Sequence, residues 1–140
     1  MSGRPTTREL TDREYEALAG FRRAIRTFLH FSDEAAHAEG LAPSQHQLLL
    51  AVRGWPRAAA PSISDIAEAL QLRHHSAVGL IHRAEHVGLV TLTRDQADRR
   101  VQRLALTDDG HGTLATLSVR HREELRRSRQ VLTDLLDVFD

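Results

Sequence analysis

The chain contains no cysteine and no lysine, and only one methionine and one tryptophan. Without cysteine there is no disulfide, no thiolate nucleophile and no thiol redox sensor. One methionine leaves little scope for sensing through sulfur oxidation. Aromatic residues make up 4% of the chain, so Leu, Val, Ile and Ala must fill most of the core. No apolar run approaches the ~18 residues that span a bilayer. The segment "MSGRPTTRELTDREY" has no apolar stretch of the kind that directs secretion. A cytoplasmic location is therefore expected. A strained nucleophile turn, a glycine-rich phosphate loop and a paired-carboxylate motif are also missing, so an enzyme is not expected.

What is present fits one soluble domain over residues 1–140, with 41% apolar and 27% charged residues. All the basic residues are arginine, and 19 of them balance 19 acids. The balance is uneven along the chain. Residues 73–103 carry six Arg against three acids, while the segments on either side are slightly acidic. A single basic block on a neutral chain points to a polyanionic partner.

The first periodic segment runs from about Asp12 to His37. Leu18, Phe21, Ile25, Phe28 and Leu29 share a stripe at helical spacing. Thr11 or Asp12 suits its start and Gly40 lies just past its end. At about seven turns it is too long for a small core to cover, and a partner surface explains its length. "APSQHQLLLAVRG" is a second helix, with Pro43 in its first turn and Gly54 closing it. In "SISDIAEAL", Ser62 and Asp65 have capping-box spacing, and Ile66, Ala67 and Leu70 form the buried face. A break at Gln71–Leu72 precedes the next helix. After Gly88 the period changes from 3.6 to 2, and "LVTLTR" and "VQRLAL" flank the polar turn "DQADRR" as a hairpin. Thr107 then caps a helix that continues to Asp140, interrupted near Ser118–His121 where the apolar pattern thins. The fold class is mainly α with a small β-hairpin. It is a winged helix-turn-helix with long N- and C-terminal helices.

The stretch "LRHHSAVGLIHRAEHVGLV", from Leu72 to Val90, holds four histidines. On a helix, Ala77, Leu80, Ile81, Ala84 and Val87 gather on the buried side. His75, Gly79, His82 and His86 gather opposite, flanked by Ser76 and Arg83, with Arg73 and His74 at the N-terminal end. A merely solvated face leaves Gly79 unexplained, because glycine in an exposed helix interior costs ~1 kcal/mol relative to alanine. His82 and His86 have the spacing of a metal pair, but no Cys or carboxylate joins them on that face. Arg, His and Ser donate to phosphates and base edges, and the helix N-terminus favours phosphate. The basic hairpin that follows supports only this nucleic-acid reading. Its tip carries Arg94, Arg99 and Arg100, suited to a narrow minor groove. Asp95 or Asp98 is expected to pair with an arginine and fix its direction. Protonating His75 or His82 at low pH would add positive charge to the same surface.

These pieces, "SDIAEALQLRHHSAVGLIHRAEHVGLV" followed by "RDQADRRVQRLALTDDG", resemble the MarR family of bacterial transcriptional regulators over roughly Leu41–Gly110. The family's Asp-x-Arg wing motif falls on Asp98, Arg99 and Arg100. Its Leu-Thr-x-x-Gly falls on Leu106, Thr107 and Gly110. Ala84 stands where the family usually has a larger apolar residue. Ala42 replaces the Ser or Thr that often precedes the second helix.

The resemblance implies a homodimer held by helices at about 11–38 and 108–140, with a winged-helix region at about 41–106. It also implies a sequence-specific regulator, a repressor at a palindromic DNA operator. The implied DNA contacts are Arg73, His74, His75, Ser76, Gly79, His82, Arg83, Arg94, Asp98, Arg99 and Arg100. A small aromatic effector would sit near Phe28, Phe31, His46 and Trp55. No cofactor or metal is implied. His30 and His37, seven apart, would make a metal or haem site only with His46 or His111, and scattered histidines are more often structural. A winged-helix module that had lost DNA for a protein partner would show an acidic or apolar recognition face. This one shows Arg and His.

Overall fold

The computed structural model describes residues 7–139; residues 1–6 and Asp140, the ends of the single-domain reading, lie outside them. In chain order the elements are α1 (Asp12–Ala38), α2 (Pro43–Arg53), α3 (Ile63–Ala69), α4 (His74–His86), β1 (Val90–Arg94), β2 (Gln102–Leu106) and α5 (Asp108–Asp137). They form two compact units. One holds the described residues up to Phe31 and from Arg122 on; the other is Ser32–His121. Among the described residues no helix is long and apolar enough to cross a membrane.

The Ser32–His121 unit has one apolar cluster. Leu48, Leu49, Ile66, Ile81, Val90, Leu104 and Leu117 are its fully buried large side chains, and the ends of α1 and α4 add Ala36 and Ala84. The hairpin is antiparallel, with Val90 opposite Leu106 and Leu92 opposite Leu104. Thus one face of each strand packs on the core while Thr91, Thr93 and Ala105 stay exposed.

Each helix end in this unit has a local cause. Ser62 and Asp65 complete a capping box at α3, with Asp65 N–H to Ser62 Oγ at 3.1 Å and Ser62 N–H to Asp65 Oδ2 at 2.9 Å. At α2, Ala42 offers no side-chain cap, but Gln45 Oε1 accepts the Ala42 N–H at 3.1 Å. Half of the box therefore survives the missing hydroxyl. Helices α1, α3 and α4 all stop in the same way. A residue with positive φ (Gly40, Gln71 or Gly88) is followed by an N–H that bonds back five residues, to Ala36, Ala67 or Ala84. Two of these positions are glycine and the third is Gln71, in the turn between α3 and α4.

Helix α5 is continuous for 30 residues, against the expected break near Ser118–His121. The polar side chains there bond inside the helix: Ser118 Oγ–H donates to Leu114 O, and His121 Nδ1 bonds Leu117 O, both at 2.7 Å. Their polarity costs the helix no backbone bond. A second correction concerns Val87, which is 59% exposed. It is the C-cap of α4, with φ −89 and ψ 6, so the helical wheel no longer applies to it.

In the other unit, the start of α1 is capped reciprocally by Thr11 and Glu14, and Arg8 grips the Glu14 carboxylate through two bonds of 2.9 and 3.0 Å. Gly20 lets Leu135 of α5 come close; a Cβ at Gly20 would lie 3.2 Å from Leu135 Cδ2. The outward side of these helices is apolar. Tyr15, Leu18, Phe21, Ile25 and Leu29 on α1, and Leu125, Val131, Leu136 and Phe139 towards the end of the chain, are all exposed.

Candidate nucleic-acid interface

Helix α4 follows directly from its spacing. Ala77, Leu80, Ile81 and Ala84 are buried and seat it on the core. His75, Ser76, His82, Arg83 and His86 are left exposed, as the 3.6-residue period predicts. Arg73 is the N-cap and makes no side-chain cap bond, and the first turn holds no acidic residue. Its N–H groups thus keep their attraction for an anion. Gly79 is half-buried because the Arg83 side chain lies over it: a Cβ there would sit 3.2 Å from Arg83 Nη1.

The wing tip, residues 95–101, is tied internally at nearly every position. Asp95 is the organiser. Its Oδ2 accepts the N–H groups of Ala97 (3.1 Å) and Asp98 (2.9 Å), and its Oδ1 accepts Arg103 Nε at 2.8 Å. Asp95 N–H donates to Val101 O at 2.8 Å. Asp98 accepts the Arg100 backbone N–H at 3.1 Å and, from one edge of the Arg100 guanidinium, Nε–H at 3.0 Å and Nη2–H at 3.1 Å. Arg94 Nη1 donates to Arg99 O at 2.8 Å. Both carboxyls are held below the usual Asp range, Asp95 chiefly by Arg103 and Asp98 chiefly by Arg100. Not one but both wing carboxylates therefore pair with arginines. The Arg100 side chain remains 91% exposed, with its guanidinium gripped along one edge by Asp98.

Arg103 was not singled out from the sequence, and it matters to the wing. Besides Asp95 it donates through Nη1 to Ala60 O at 2.7 Å, and Leu104 N–H donates to Pro61 O at 2.9 Å. The loop before α3 is thereby stitched to β2. The only signal in the sequence was an arginine at an outward strand position, which is common.

The Leu-Thr-x-x-Gly segment is a clamp. Thr107 Oγ1 accepts the Gly110 N–H at 3.0 Å and donates to Gly88 O, while Thr107 N–H donates to Leu89 O at 3.0 Å. Gly110 is buried with Leu89 O against it, so close that a Cβ would overlap the carbonyl. This fixes the end of β2 and the start of α5 onto the turn that ends α4.

Three expected contact residues meet in one groove. His74 and His82 of α4 and Arg100 of the wing line a cavity of about 290 Å³ together with Ser64. The residues expected at an effector site are found in both units. Phe28 and Phe31 belong to the unit that α1 opens. In the other unit, His46 is buried with its ring centroid 4.8 Å from that of His121. Trp55, half-buried, lines a separate cavity of about 220 Å³ that does not include His46. Among the described residues no cluster of three or more His, Cys, Asp or Glu is placed to hold a metal ion.

Residues 39–101 match the family model described as MarR family. Over almost its whole length the structure matches solved MarR regulators. AbsC, a MarR family transcriptional regulator from Streptomyces coelicolor, is 25% identical, with 94% of this chain and 90% of that one covered and a TM-score of 0.73. The transcriptional repressor CouR bound to a 23-mer DNA duplex is 28% identical, with 94% and 99% covered and a TM-score of 0.66. CouR from Rhodococcus jostii RHA1 bound to p-coumaroyl-CoA is 23% identical, with 84% and 85% covered and a TM-score of 0.67. Among curated proteins none matches this chain by sequence.

Proposed function

We propose that this MarR family winged-helix protein is a transcriptional repressor that binds a palindromic DNA operator as a homodimer and is released by a small aromatic effector. The observation that carries the reading is the groove shared by His74, His82 and Arg100, between the exposed face of α4 and the wing. Such a surface offers donors to a major groove from α4 and a guanidinium to the neighbouring minor groove from the wing. His75, Ser76, Gly79, Arg83 and Arg73 are assigned to the α4 contacts. Arg94, Arg99 and Arg100, with Asp98 as the aiming carboxylate, are assigned to the wing. CouR, which shares the fold, is a repressor seen on a DNA duplex, and this supports the same role.

The dimer is supported by the outward apolar side of α1 and α5. Exposed side chains such as Phe21, Leu29 and Leu136 on long helices form a surface that a second copy would cover. The effector is supported by the CouR complex with p-coumaroyl-CoA. The chemistry assigned is binding and release, with no catalytic step.

The test is an electrophoretic mobility shift with purified protein and the DNA upstream of its own gene. A shift that survives unrelated competitor DNA, maps to a near-palindrome and weakens steeply with salt is the expected result. A folded dimer that gives no shift at low salt would overturn it.

A further inference from the structure

The wing is a two-stranded hairpin, and such a hairpin is marginal on its own. Its base is anchored, because Val90, Leu92, Leu104 and Leu106 belong to the core cluster or pack against it. None of residues 95–101, the tip, is buried. The direction of the tip must come from polar bonds.

One chain of such bonds runs from the loop before α3 to the guanidinium assigned to the minor groove. Arg103 Nη1 donates to Ala60 O at 2.7 Å, and Arg103 Nε donates to Asp95 Oδ1 at 2.8 Å. Asp95 Oδ2 accepts the Asp98 N–H at 2.9 Å, and the Asp98 carboxylate takes Nε–H and Nη2–H of Arg100. Arg103 is the link that leaves the hairpin. Its backbone is held at the same place: Ser62 and Arg103 form an antiparallel bridge, and Leu104 N–H donates to Pro61 O at 2.9 Å. Ser62 also caps α3, and α3 shares its core with α4 through Ile66 and Ile81. The wing is thus tied to the elements that seat α4.

The residue type suits this work. The planar fork of arginine serves Asp95 and Ala60 at once, from two nitrogens fixed in one plane, whereas lysine has one nitrogen on a flexible stem. The Arg103 and Asp95 side chains are both partly buried, so water competes less for this pair than for Arg100 and Asp98. Two donors of Arg103 are spent inside the protein, which favours placing the wing over gripping a phosphate. What it places is measured against α4, since His74 and His82 line one groove with Arg100. A half-site presents its major groove and the neighbouring minor groove at a set separation, and the protein must match it.

We infer that Arg103 is a positioning residue for DNA binding, which ties the wing to the loop before α3 and so fixes the separation from α4 at which Arg100 meets the minor groove. The assignment rests on the regulator reading above.

The experiment measures operator affinity, across salt concentrations, for full-length wild type, Arg103→Lys, Arg103→Met, Arg100→Ala and the Arg100→Ala/Arg103→Lys double variant. A second duplex carries one extra base pair between the segments under α4 and under the wing. Arg103→Lys keeps the charge and loses the fork, and should bind operator about 2- to 10-fold more weakly, because a loosened wing must be ordered again on the DNA. In the Arg100→Ala background the same change should cost less than about twofold, since the wing then has no guanidinium to place. Arg103→Lys and Arg103→Met should both discriminate less than wild type against the lengthened duplex. A loss of fold alone would move neither of these two readouts in that way. Wild-type affinity in Arg103→Lys, with a weaker Arg103→Met and a salt slope lowered by about 1, would make Arg103 a phosphate contact and overturn the assignment. So would an equal loss with and without Arg100, or unchanged discrimination between the two duplexes. Wild type that binds neither duplex at low salt would instead strike the regulator reading itself, and this assignment with it.

Discussion

His46 and His121 pack ring to ring, their centroids 4.8 Å apart at 45°, inside the Ser32–His121 unit. The bonds of His121 set its tautomer when neutral. A carbonyl only accepts, so Nδ1 donates to Leu117 O, and Nε2 accepts from Ser32 Oγ at 2.8 Å. His46 is buried, which pushes its pKa below 6.5; the nearby His121 adds to this and Asp33 opposes it. The folded state therefore holds fewer protons at this site than the unfolded chain. The stabilisation is whole above pH 6.5, the unfolded value, and is lost as pH falls through the lowered pKa. Thermal melts between pH 8 and 5 should show a falling melting temperature below about pH 6.5. His46→Phe should flatten that fall whatever its own stability. An unchanged pH slope in the variant would remove His46 as its origin.

Gln71 sits at φ 55 in the turn between α3 and α4, where the matching turns after α1 and α4 use Gly40 and Gly88. A left-handed residue with a Cβ costs roughly 1–2 kcal/mol. Glycine would regain that and lose ~0.4–1 kcal/mol to the entropy of its unfolded chain. Gln71→Gly should therefore stabilise the protein by on the order of 0.5–1 kcal/mol, raising the melting temperature by about 2–4 °C. A lower melting temperature would show that the glutamine side chain contributes something the backbone does not.

Much of the architecture was legible because one strong signal decided each element. The stripe of α1, the Ser62–Asp65 box of α3 and the alternation of β1 and β2 each report a single period or a local cap. So does the outward face of α4, since His75 and His82 are placed by the same spacing that buries Ala77 and Ile81. What escaped depends on pairing across distance. Arg103 reaches Ala60, 43 residues away, and Asp95 across the hairpin, and nothing local marks it. The expected break in α5 failed because Ser118 and His121 look like interruptions by polarity, yet satisfy themselves on the preceding turn. Within the Ser32–His121 unit, His46 and Trp55 do not line one cavity, because rings scattered along a chain carry no spacing rule to join them.

Gly110 has its backbone pressed on Leu89 O, and both groups are fixed, the one in the first turn of α5 and the other bonded to Thr107 N–H. A methyl group can be accommodated only by moving the backbone. Gly110→Ala should destabilise by more than the ~1–3 kcal/mol of ordinary overpacking, and DNA affinity should fall with it as the wing loses its anchor. Gly112→Ala is the control, because nothing lies within 4 Å of a Cβ there. Equal melting temperatures for the two variants would disprove the clamp.

Asp98 presents a sign test for the wing. It is a negative charge beside a surface assigned to DNA, so simple repulsion predicts that removing it tightens binding. But it also grips the Arg100 guanidinium through two bonds and takes the Arg100 N–H as well. If its work is to aim Arg100, removing it frees a long side chain that must be ordered again on the DNA, at ~0.5–1.5 kcal/mol. The aiming effect should win. Asp98→Asn, which can still accept the backbone N–H, should bind operator about 2- to 10-fold more weakly. Arg100→Ala should weaken binding to every sequence by a similar factor and lower the salt slope by about 1. The double variant should bind no more weakly than Arg100→Ala alone, since Asp98 then has no guanidinium to hold. Binding curves of the four proteins across salt concentrations decide the matter. Tighter binding by Asp98→Asn would reduce Asp98 to a repulsive charge, and independent losses in the double variant would break the link between the two residues.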